Sequence, residues 1–490
     1  MRLHTLLSGI VEASAVPEQE IRAISENSKK TDPHTLFVCI KGANADGHRY
    51  AASAYANGCR SFLAQDRLNL PDDAFVAYAT DTRRALALLA ARLFGYPART
   101  MHVIGITGTK GKTTTAQMLR HVLEQCKIPC GYIGTNGIFY AGRRIPTKNT
   151  TPDALTLQQT LADMQQSGVC TVVMEVSSQA LMQSRVDGID FDTLLFTNLS
   201  PDHIGQNEHP DFAHYKACKQ RLFREFRATS VVYNLDDSAH ADMLVDCSAT
   251  KRISCSTKHT DANFCAIGCD LLRESAMWGV KSQLYTNGER HTFKLPLIGD
   301  FNLSNALLAV ATANRVFGIS IKRICEALAS VNVTGRSELI PLPNGSCAVI
   351  DYAHNRASLQ SLLVSLRKYE PTRLIALFGS VGGRSQMRRR ELGEVASELC
   401  DLCILTSDNP ANEPPLQIID EIAAAFDGSD TPYLKIVDRT EAIREAVAMT
   451  REGDILVLAG KGHETYQLIG DEKIPFCERE ILLDAMRVLQ

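Results

Sequence analysis

What this 490-residue chain lacks narrows its function first. It has no excess of basic charge. Its 52 Lys and Arg stand against 55 Asp and Glu, a formal net charge of −3, so no overall positive field argues for a nucleic-acid partner. No apolar run approaches the ~20 residues that a membrane span needs. The opening MRLHTLLSGIVEAS has no signal-peptide layout, because Glu12 interrupts a short apolar stretch. Nor is there a regular cysteine framework. The 15 cysteines are odd in number and scattered. Cys265 lies near Cys269, and Cys400 and Cys403 fit C-x-x-C, but that pair has no partner pair and no nearby His. These read as buried thiols in a reducing cytoplasm. What remains is ordinary globular protein, 45% hydrophobic and 22% charged, with a length that predicts about three domains.

The most informative stretch is MHVIGITGTKGKTTTAQMLRHVLEQC, Met101 to Cys126. Val103, Ile104 and Ile106 predict a short buried strand. Ala116, Leu119, Val122, Leu123 and Cys126 recur at helical spacing. Between them lie Gly108, Thr109, Lys110, Gly111, Lys112, Thr113 and Thr114. Such a loop leaves backbone N–H groups free at a helix N-terminus, where the dipole also favours anions. Lys112 would neutralise phosphate charge and the Thr113 hydroxyl would hold Mg²⁺. The spacing is shorter than the full phosphate-loop pattern, since only Thr109 and Lys110 separate Gly108 from Gly111. The competing reading is a plain glycine turn.

The flanking chain divides into three parts. Residues 1–97 predict a small α/β domain, with strands in Thr35–Gly42 and Phe75–Thr80 and helices over Ala51–Asn57 and Thr82–Phe94. Ser28 reads as a turn cap, with ligand binding as the alternative. Tyr96-Pro97-Ala98-Arg99 is the expected linker, since Pro97 stops the preceding helix. Residues 98–330 predict the domain built on the glycine loop. There, Thr150 and Thr151 precede a helix and either cap it or grip a ligand. Glu175 ends an apolar strand and is followed by Ser177 and Ser178. Ligands of open α/β sheets bind beyond the carboxyl ends of strands, so Glu175 is a natural Mg²⁺ ligand, with a surface salt bridge as the alternative. Asp202 and His203 end another strand, where His203 either ligates metal or caps a loop. A helix follows, carrying Lys216 and Lys219. Asn302 and Asn305 lie on one face of a later helix. Residues 331–490 predict a third α/β domain, in which CAVIDYA, RLIALFGS, LCILTSD and DILVLAG alternate with helices in a doubly wound, largely parallel sheet. Each strand runs into a polar loop, which argues for a binding cleft. A kinase, a motor ATPase and a ligase all fit these features.

The ordered set ITGTKGKTT, NTTPDAL, MEVSSQAL, TNLSPDH, YKACK, LIGDFNLSNALLA, GRSE, DYAH, SDNPA and GKGHE spans nearly the whole chain. It resembles the Mur ligase family, nearest to the MurE type that extends UDP-N-acetylmuramoyl-L-alanyl-D-glutamate. The resemblance implies a three-domain architecture with a central P-loop-type ATPase domain and a C-terminal Rossmann-like domain. It implies that ATP phosphorylates the D-Glu side-chain carboxylate and that an incoming amino acid displaces phosphate from the acyl phosphate, in cytoplasmic peptidoglycan precursor synthesis by a monomer. It implies Mg²⁺ around Thr113, Glu175, His203 and Lys219, the last carbamylated so that a lysine supplies anionic oxygen to a hard cation. It assigns ATP to the glycine loop with Asn302, Arg336, Asp351 and His354. It assigns the UDP-sugar to Ser28, Thr150, Thr151, Ser177, Gln183 and Arg185. The amino acid is assigned to Arg384, Asp408, Asn409, Pro410, Ala411, Gly460 and Glu464.

Members that add diaminopimelate carry Arg where this chain has Ala411. A second carboxylate needs a cationic clamp, whereas lysine presents an ammonium that an Arg would repel. Ala411 therefore implies L-lysine, with Glu413 and Glu464 expected to meet ammonium groups and Arg384 the α-carboxylate. Several positions depart from the family pattern: Lys110 for Asn, Gln179 for His, Ser385 for an acid, and Asn355-Arg356 after DYAH. They leave a paralogue adding ornithine, diaminopimelate or another amine as the alternative. A folylpolyglutamate-synthase-like ligase and a non-catalytic nucleotide-binding scaffold are the rival classes.

Overall fold

The computed structural model describes residues 1–489 apart from 43–44, 206–207, 275–276 and 384–385. The chain forms two compact units, Met1–Cys255 with Ala311–Gly318, and Ser256–Val310 with Ile319–Gln490.

The first unit holds two sheets. The N-terminal one is wholly parallel, with Ala23–Ser25, Thr35–Val38, Ser61–Ala64 and Phe75–Tyr78 in that order. Two of these strands and the helices Ala51–Ala56 and Thr82–Leu93 answer to the expected elements. Ala23–Ser25 and Ser61–Ala64 are additional; the first has only three residues, and the second, as long as the two expected strands, carries no longer apolar run to mark it.

The second sheet places Lys251–Ser256, Ser230–Asn234, Thr193–Phe196, His102–Thr107, Thr171–Glu175 and Cys130–Gly134 side by side and parallel. Gly137–Tyr140 and Arg143–Ile145 extend it antiparallel. His102–Thr107 is central, and past His102 every residue of it is buried, as a parallel strand covered on both faces requires. The chain leaves this strand towards one side and later returns to its other flank with Thr193–Phe196. That reversal puts the glycine loop at a topological switch point, where open α/β sheets bind ligands. The junction at Tyr96–Thr100 lies inside the unit. Pro97–Thr100 is a single 3₁₀ turn, and Ala98 and Met101 are packed into the core beneath the sheet.

The second unit begins with a three-stranded antiparallel meander, Phe264–Glu274, Met277–Thr286 and Glu289–Leu295. Its main sheet runs Glu338–Pro341, Cys347–Asp351, Ile455–Ala459, Leu374–Phe378, Leu402–Leu405, Tyr433–Lys435. Only the first of these strands is antiparallel to its neighbour. Alternate residues face opposite cores. Val349, Ala376 and Val457 meet the helices Arg356–Arg367, Gln386–Leu399 and Pro415–Ala423. Ile350, Leu377 and Leu458 meet Arg439–Met449 and Glu478–Ala485. Helices thus cover both faces, which is the doubly wound arrangement the alternating pattern predicts. Cys400 and Cys403 are both buried thiols in this unit.

Candidate active site

The glycine loop is built by close approach. Gly108 has φ +147° and Gly111 φ +83°, conformations that favour glycine, and a Cβ on Gly108 would collide with the Thr197 hydroxyl. The backbone is pinned to the neighbouring strand's end. Thr109 N–H donates to Asn198 O at 2.8 Å, and Lys110 N–H donates to Asn198 Oδ1 at 2.9 Å. Lys112 opens the helix Lys112–Gln125, and its Nζ donates back to the carbonyls of Gly108 (2.8 Å) and Thr109 (3.1 Å). This is a folded-back cation over a curled loop, so the plain-turn reading is the weaker one.

Thr113 and Glu175 meet directly, the hydroxyl donating to Glu175 Oε2 at 2.9 Å. Glu175 is fully buried, which rules out a surface salt bridge. Tyr132 Oη (2.6 Å), Thr135 N (3.0 Å) and Thr135 Oγ1 (3.1 Å) also donate to it. These donors orient the carboxylate, and its oxygens together with the Thr113 hydroxyl are the hard donors that suit Mg²⁺. Tyr132 and Thr135 escaped sequence reasoning, since nothing local marks a residue whose role arises across two strands.

Lys219 is almost wholly buried, on the helix Phe212–Arg224, and donates to Gly108 O at 2.8 Å. Burial, with Lys112 adding repulsion, holds its pKa well below the usual lysine value. That separates it from Lys216, which pairs with Asp242 at the surface. His203 is half-exposed, at φ +56°, with Nδ1 3.3 Å from Glu208 Oε1. The preceding Asp202 binds Lys110 Nζ at 2.9 Å. Its burial opposes ionisation, but the Lys110 charge and hydrogen bond outweigh it and pull its pKa down to about 2. Lys110 is thus turned onto a carboxylate rather than lying loose beside the phosphates.

The residues assigned to the UDP-sugar form a hydrogen-bonded group in the same unit. Thr151 Oγ1 donates to Glu175 O at 2.8 Å and accepts from Ser177 N at 3.1 Å. Arg185 donates to Thr151 O at 2.8 Å and to Gln183 Oε1 at 2.7 Å. Thr150 Oγ1 lies 3.1 Å from Thr135 Oγ1. Neither threonine caps the following helix; Asp153 does, accepting from Thr156 N. Nor does Ser28 close its turn. Asn27 Oδ1 takes Lys29 N–H at 2.9 Å, leaving the Ser28 hydroxyl out of the cap. Burial raises the pKa of nearby Glu26, Asp153 adds to the rise, and Arg83 and Arg185 oppose it.

In the second unit, Arg336 lies over the Tyr352 ring at 4.8 Å, and His354 Nδ1 lies 2.7 Å from Tyr352 O. Asp351 accepts from Ser337 N–H at 2.6 Å; its burial pushes the pKa up, while Arg336 pulls it down. Asn302 receives Asn305 Nδ2 at 3.1 Å, as residues three apart on a helix can. Two departures from the family pattern have local roles. Asn355 forms a capping box with Ser358 at the start of Arg356–Arg367, and Arg356 pairs with Glu394 at 2.7 Å.

The loop Asp408–Ala411 is organised by Lys461, fully buried and missing from the sequence-based site. Its Nζ donates to Glu464 Oε2 (2.6 Å) and Asn409 Oδ1 (2.8 Å) and lies 3.8 Å from Asp408. Asn409 also donates to Glu464 at 3.0 Å. Gly460 has φ +111°, and a Cβ there would come 2.8 Å from Asp408. Ala411 follows Pro410 at φ +49°, its N–H donating to Leu468 O at 3.1 Å. Glu413 and Glu464, expected to meet ammonium groups, each already carry a cation of the chain itself. Glu413 already pairs with the buried Arg389 at 2.7 Å, and Glu464 with Lys461. Arg389 lies 24 residues from Glu413 in sequence, beyond the reach of local spacing, whereas Lys461 stands only three residues before Glu464, a local pair within GKGHE. Arg384 and Ser385 lie outside the described residues.

Comparison with known proteins agrees with this geometry. The Mur ligase family catalytic domain matches residues 20–108, the Mur ligase middle domain 106–313, and the Mur ligase glutamate ligase domain 335–462. The chain is 37% identical over 487 residues to the UDP-N-acetylmuramoyl-L-alanyl-D-glutamate–2,6-diaminopimelate ligase of Caldanaerobacter subterraneus, with 99% of each chain covered. It is 36% identical over 504 residues to the enzyme of the same name from Geobacillus thermodenitrificans, again with 99% of each covered. A solved structure of a ligase so named covers 100% of this chain and 99% of its own, with TM-score 0.72 and 28% identity. The MurF ligase of Thermotoga maritima in complex with ADP shares the fold at TM-score 0.62 and 19% identity, over 95% of this chain and 97% of its own. A glycine loop at a switch point, a doubly wound second sheet and likeness along the full length converge on one conclusion: the chain is an ATP-dependent enzyme of the Mur ligase family, with the family's three-domain architecture and full-length relatives of the MurE type.

Proposed function

We propose that the protein joins an amino acid to the D-Glu side-chain carboxylate of UDP-N-acetylmuramoyl-L-Ala-D-Glu, with L-lysine the amino acid added. The ligase reading rests above all on Lys219. The neutral amine is the form that adds CO₂, burial pulls the Lys219 pKa well below the usual lysine value towards that form, and a carbamate there would face the glycine loop as an anionic oxygen donor. Neither a kinase nor a motor ATPase needs such a group. Thr113, Glu175, His203 and carbamylated Lys219 would hold Mg²⁺, which when bound screens two anions that must approach each other.

The chain's own residues do the rest. Lys112 exchanges the carbonyls of Gly108 and Thr109 for oxygens of the transferred phosphoryl group. A carboxylate oxygen of D-Glu attacks the γ-phosphorus and ADP leaves. The amine of the incoming amino acid then attacks the acyl carbon, loses a proton, and phosphate departs. Arg185, with Gln183, Thr151 and Ser177, orients the UDP-sugar through its anionic groups. Asn302, Arg336, Asp351 and His354 serve ATP.

Lysine is favoured by Ala411, because no cation stands at that position to clamp a second carboxylate. Diaminopimelate is the second reading, favoured by the names of the full-length relatives. Phosphate release with ATP, Mg²⁺ and the UDP-sugar dipeptide, comparing L-lysine, meso-diaminopimelate and L-ornithine, tests both. Turnover with lysine supports the proposal. Turnover with diaminopimelate alone sinks the lysine assignment, and release that ignores the dipeptide sinks the ligase.

A further inference from the structure

We propose that His209, His214 and Cys218 form a binding site for a borderline-soft divalent cation of the Zn²⁺ class. The site is separate from the oxygen donors around Glu175 and does not depend on the identity of the amino acid added.

One ligand atom from each residue lies within 4.8 Å of the others. His209 Nδ1 and His214 Nδ1 are 2.9 Å apart, and Cys218 Sγ is 3.7 Å from His214 Nδ1. Zn–N bonds of about 2.05 Å and Zn–S bonds of about 2.3 Å at tetrahedral angles call for edges of about 3.3 and 3.6 Å. The two edges that meet at His214 are thus within a few tenths of an ångström of those an ion requires, and the third, His209 to Cys218, spans no more than 4.8 Å. Two imidazoles and a thiolate, with no carboxylate among them, select Zn²⁺ over Mg²⁺ or Ca²⁺.

The supporting geometry is in place. His214 and Cys218 lie four apart on the helix Phe212–Arg224, so they share one face. Asp211 caps that helix through His214 N–H at 2.7 Å. His209 is delivered by the preceding loop, whose backbone is tied by His209 N–H to His203 O at 3.0 Å. On the far side of the ring, His209 Nε2 lies 2.9 Å from Ser178 Oγ. With Ser178 accepting, the proton sits on Nε2, and the Nδ1 lone pair faces His214 and Cys218. An outer partner of this kind is what orients a metal-ligating imidazole. His209 and Cys218 are buried while His214 is half-buried, which leaves a path for an ion and a fourth position for water.

Occupancy would have a mechanical effect. The loop carries His203 and the helix carries Lys219 beside Cys218. A bound ion would tie these two segments together.

The competing account is a hydrogen-bond relay, Ser178–His209–His214–Cys218, with no ion. The test uses the full-length protein, stripped with chelator, kept reduced and titrated with Co²⁺. We expect one equivalent to produce a thiolate-to-cobalt charge-transfer band, displaced by one equivalent of Zn²⁺ and untouched by excess Mg²⁺. Cys218→Ser should remove the band. Ser178→Ala should keep it with about 10- to 100-fold weaker affinity. His214→Gln keeps the thiol and should weaken binding at least about tenfold, which guards against a folding defect in the cysteine variant; circular dichroism checks both. Absence of the band in the parent protein overturns the site in favour of the relay. A band that survives Cys218→Ser overturns it in favour of another of the 15 cysteines.

Discussion

Lys219 Nζ donates to the carbonyl oxygen of Gly108 at 2.8 Å, joining a helix to a loop 111 residues away in sequence. The amine is buried and its pKa lies well below the ordinary lysine value, burial being the larger cause and Lys112 the next. Lys219→Ala is expected to lower dipeptide-dependent phosphate release by roughly 10²–10³-fold, the scale of losing one preorganised charge-stabilising group. Stripping CO₂ should lower the parent activity, and bicarbonate should restore it. Parent activity indifferent to bicarbonate would count against the carbamate.

Glu175 is held by donors from Thr113, Tyr132 and Thr135. Glu175→Gln nearly preserves the shape but replaces an anionic acceptor with an amide whose NH₂ faces donors. We expect phosphate release to fall by about 10²-fold or more, with the Mg²⁺ concentration for half-activity rising. A variant with parental Mg²⁺ dependence would remove Glu175 from the metal site.

Ala411→Arg places a guanidinium where the lysine reading requires none. Charge-assisted hydrogen bonds are worth about 1.5–3 kcal/mol, so the kcat/KM ratio for diaminopimelate over lysine should rise roughly 10- to 100-fold. An unchanged ratio would mean that position 411 does not read the substrate's distal end.

Lys461 is the cation shared by Glu464, Asn409 and Asp408. Removing one partner of a buried pair typically costs about 3–5 kcal/mol, because the other charge is left uncompensated. Lys461→Met should therefore lower stability on that scale, measured by urea unfolding, and raise KM for the amino acid more than KM for ATP. Equal changes in the two KM values would point to a general loss of structure.

Asp187 supplies a pH test away from the reaction. Burial raises its pKa to about 6, although Arg221 at 3.5 Å and Arg84 at 3.4 Å draw it down. Its folded value lies above its unfolded value near 3.8. Between these values the folded chain holds a proton that the unfolded chain has lost, so this group's stabilising contribution falls as pH rises from about 3.8 to about 6. Asp187→Asn should therefore flatten the pH dependence of unfolding over that window. A parental slope in the variant would assign the effect to another group.

The sequence by itself determined the elements with strong local signals. Strand, glycine loop and helix around Gly108–Lys112 were legible because apolar periodicity and glycine placement are properties of a few adjacent residues. The alternating strands and helices after residue 345 declared a doubly wound sheet for the same reason, and the ordered motifs declared the family. The three-residue strand Ala23–Ser25 carried too few residues to show a period. Tertiary structure alone decided which charges are already satisfied. Glu413 and Glu464 looked free for a substrate until Arg389 and Lys461 were found against them, and Tyr132 and Thr135 were invisible as partners of Glu175. Lys461 and Glu464 are only three residues apart, but for the other pairs the physical reason is a common one. Hydrogen bonds and ion pairs act over about 3 Å of space whatever the separation along the chain, and a linear pattern holds no record of which distant side chains folding brings within that reach.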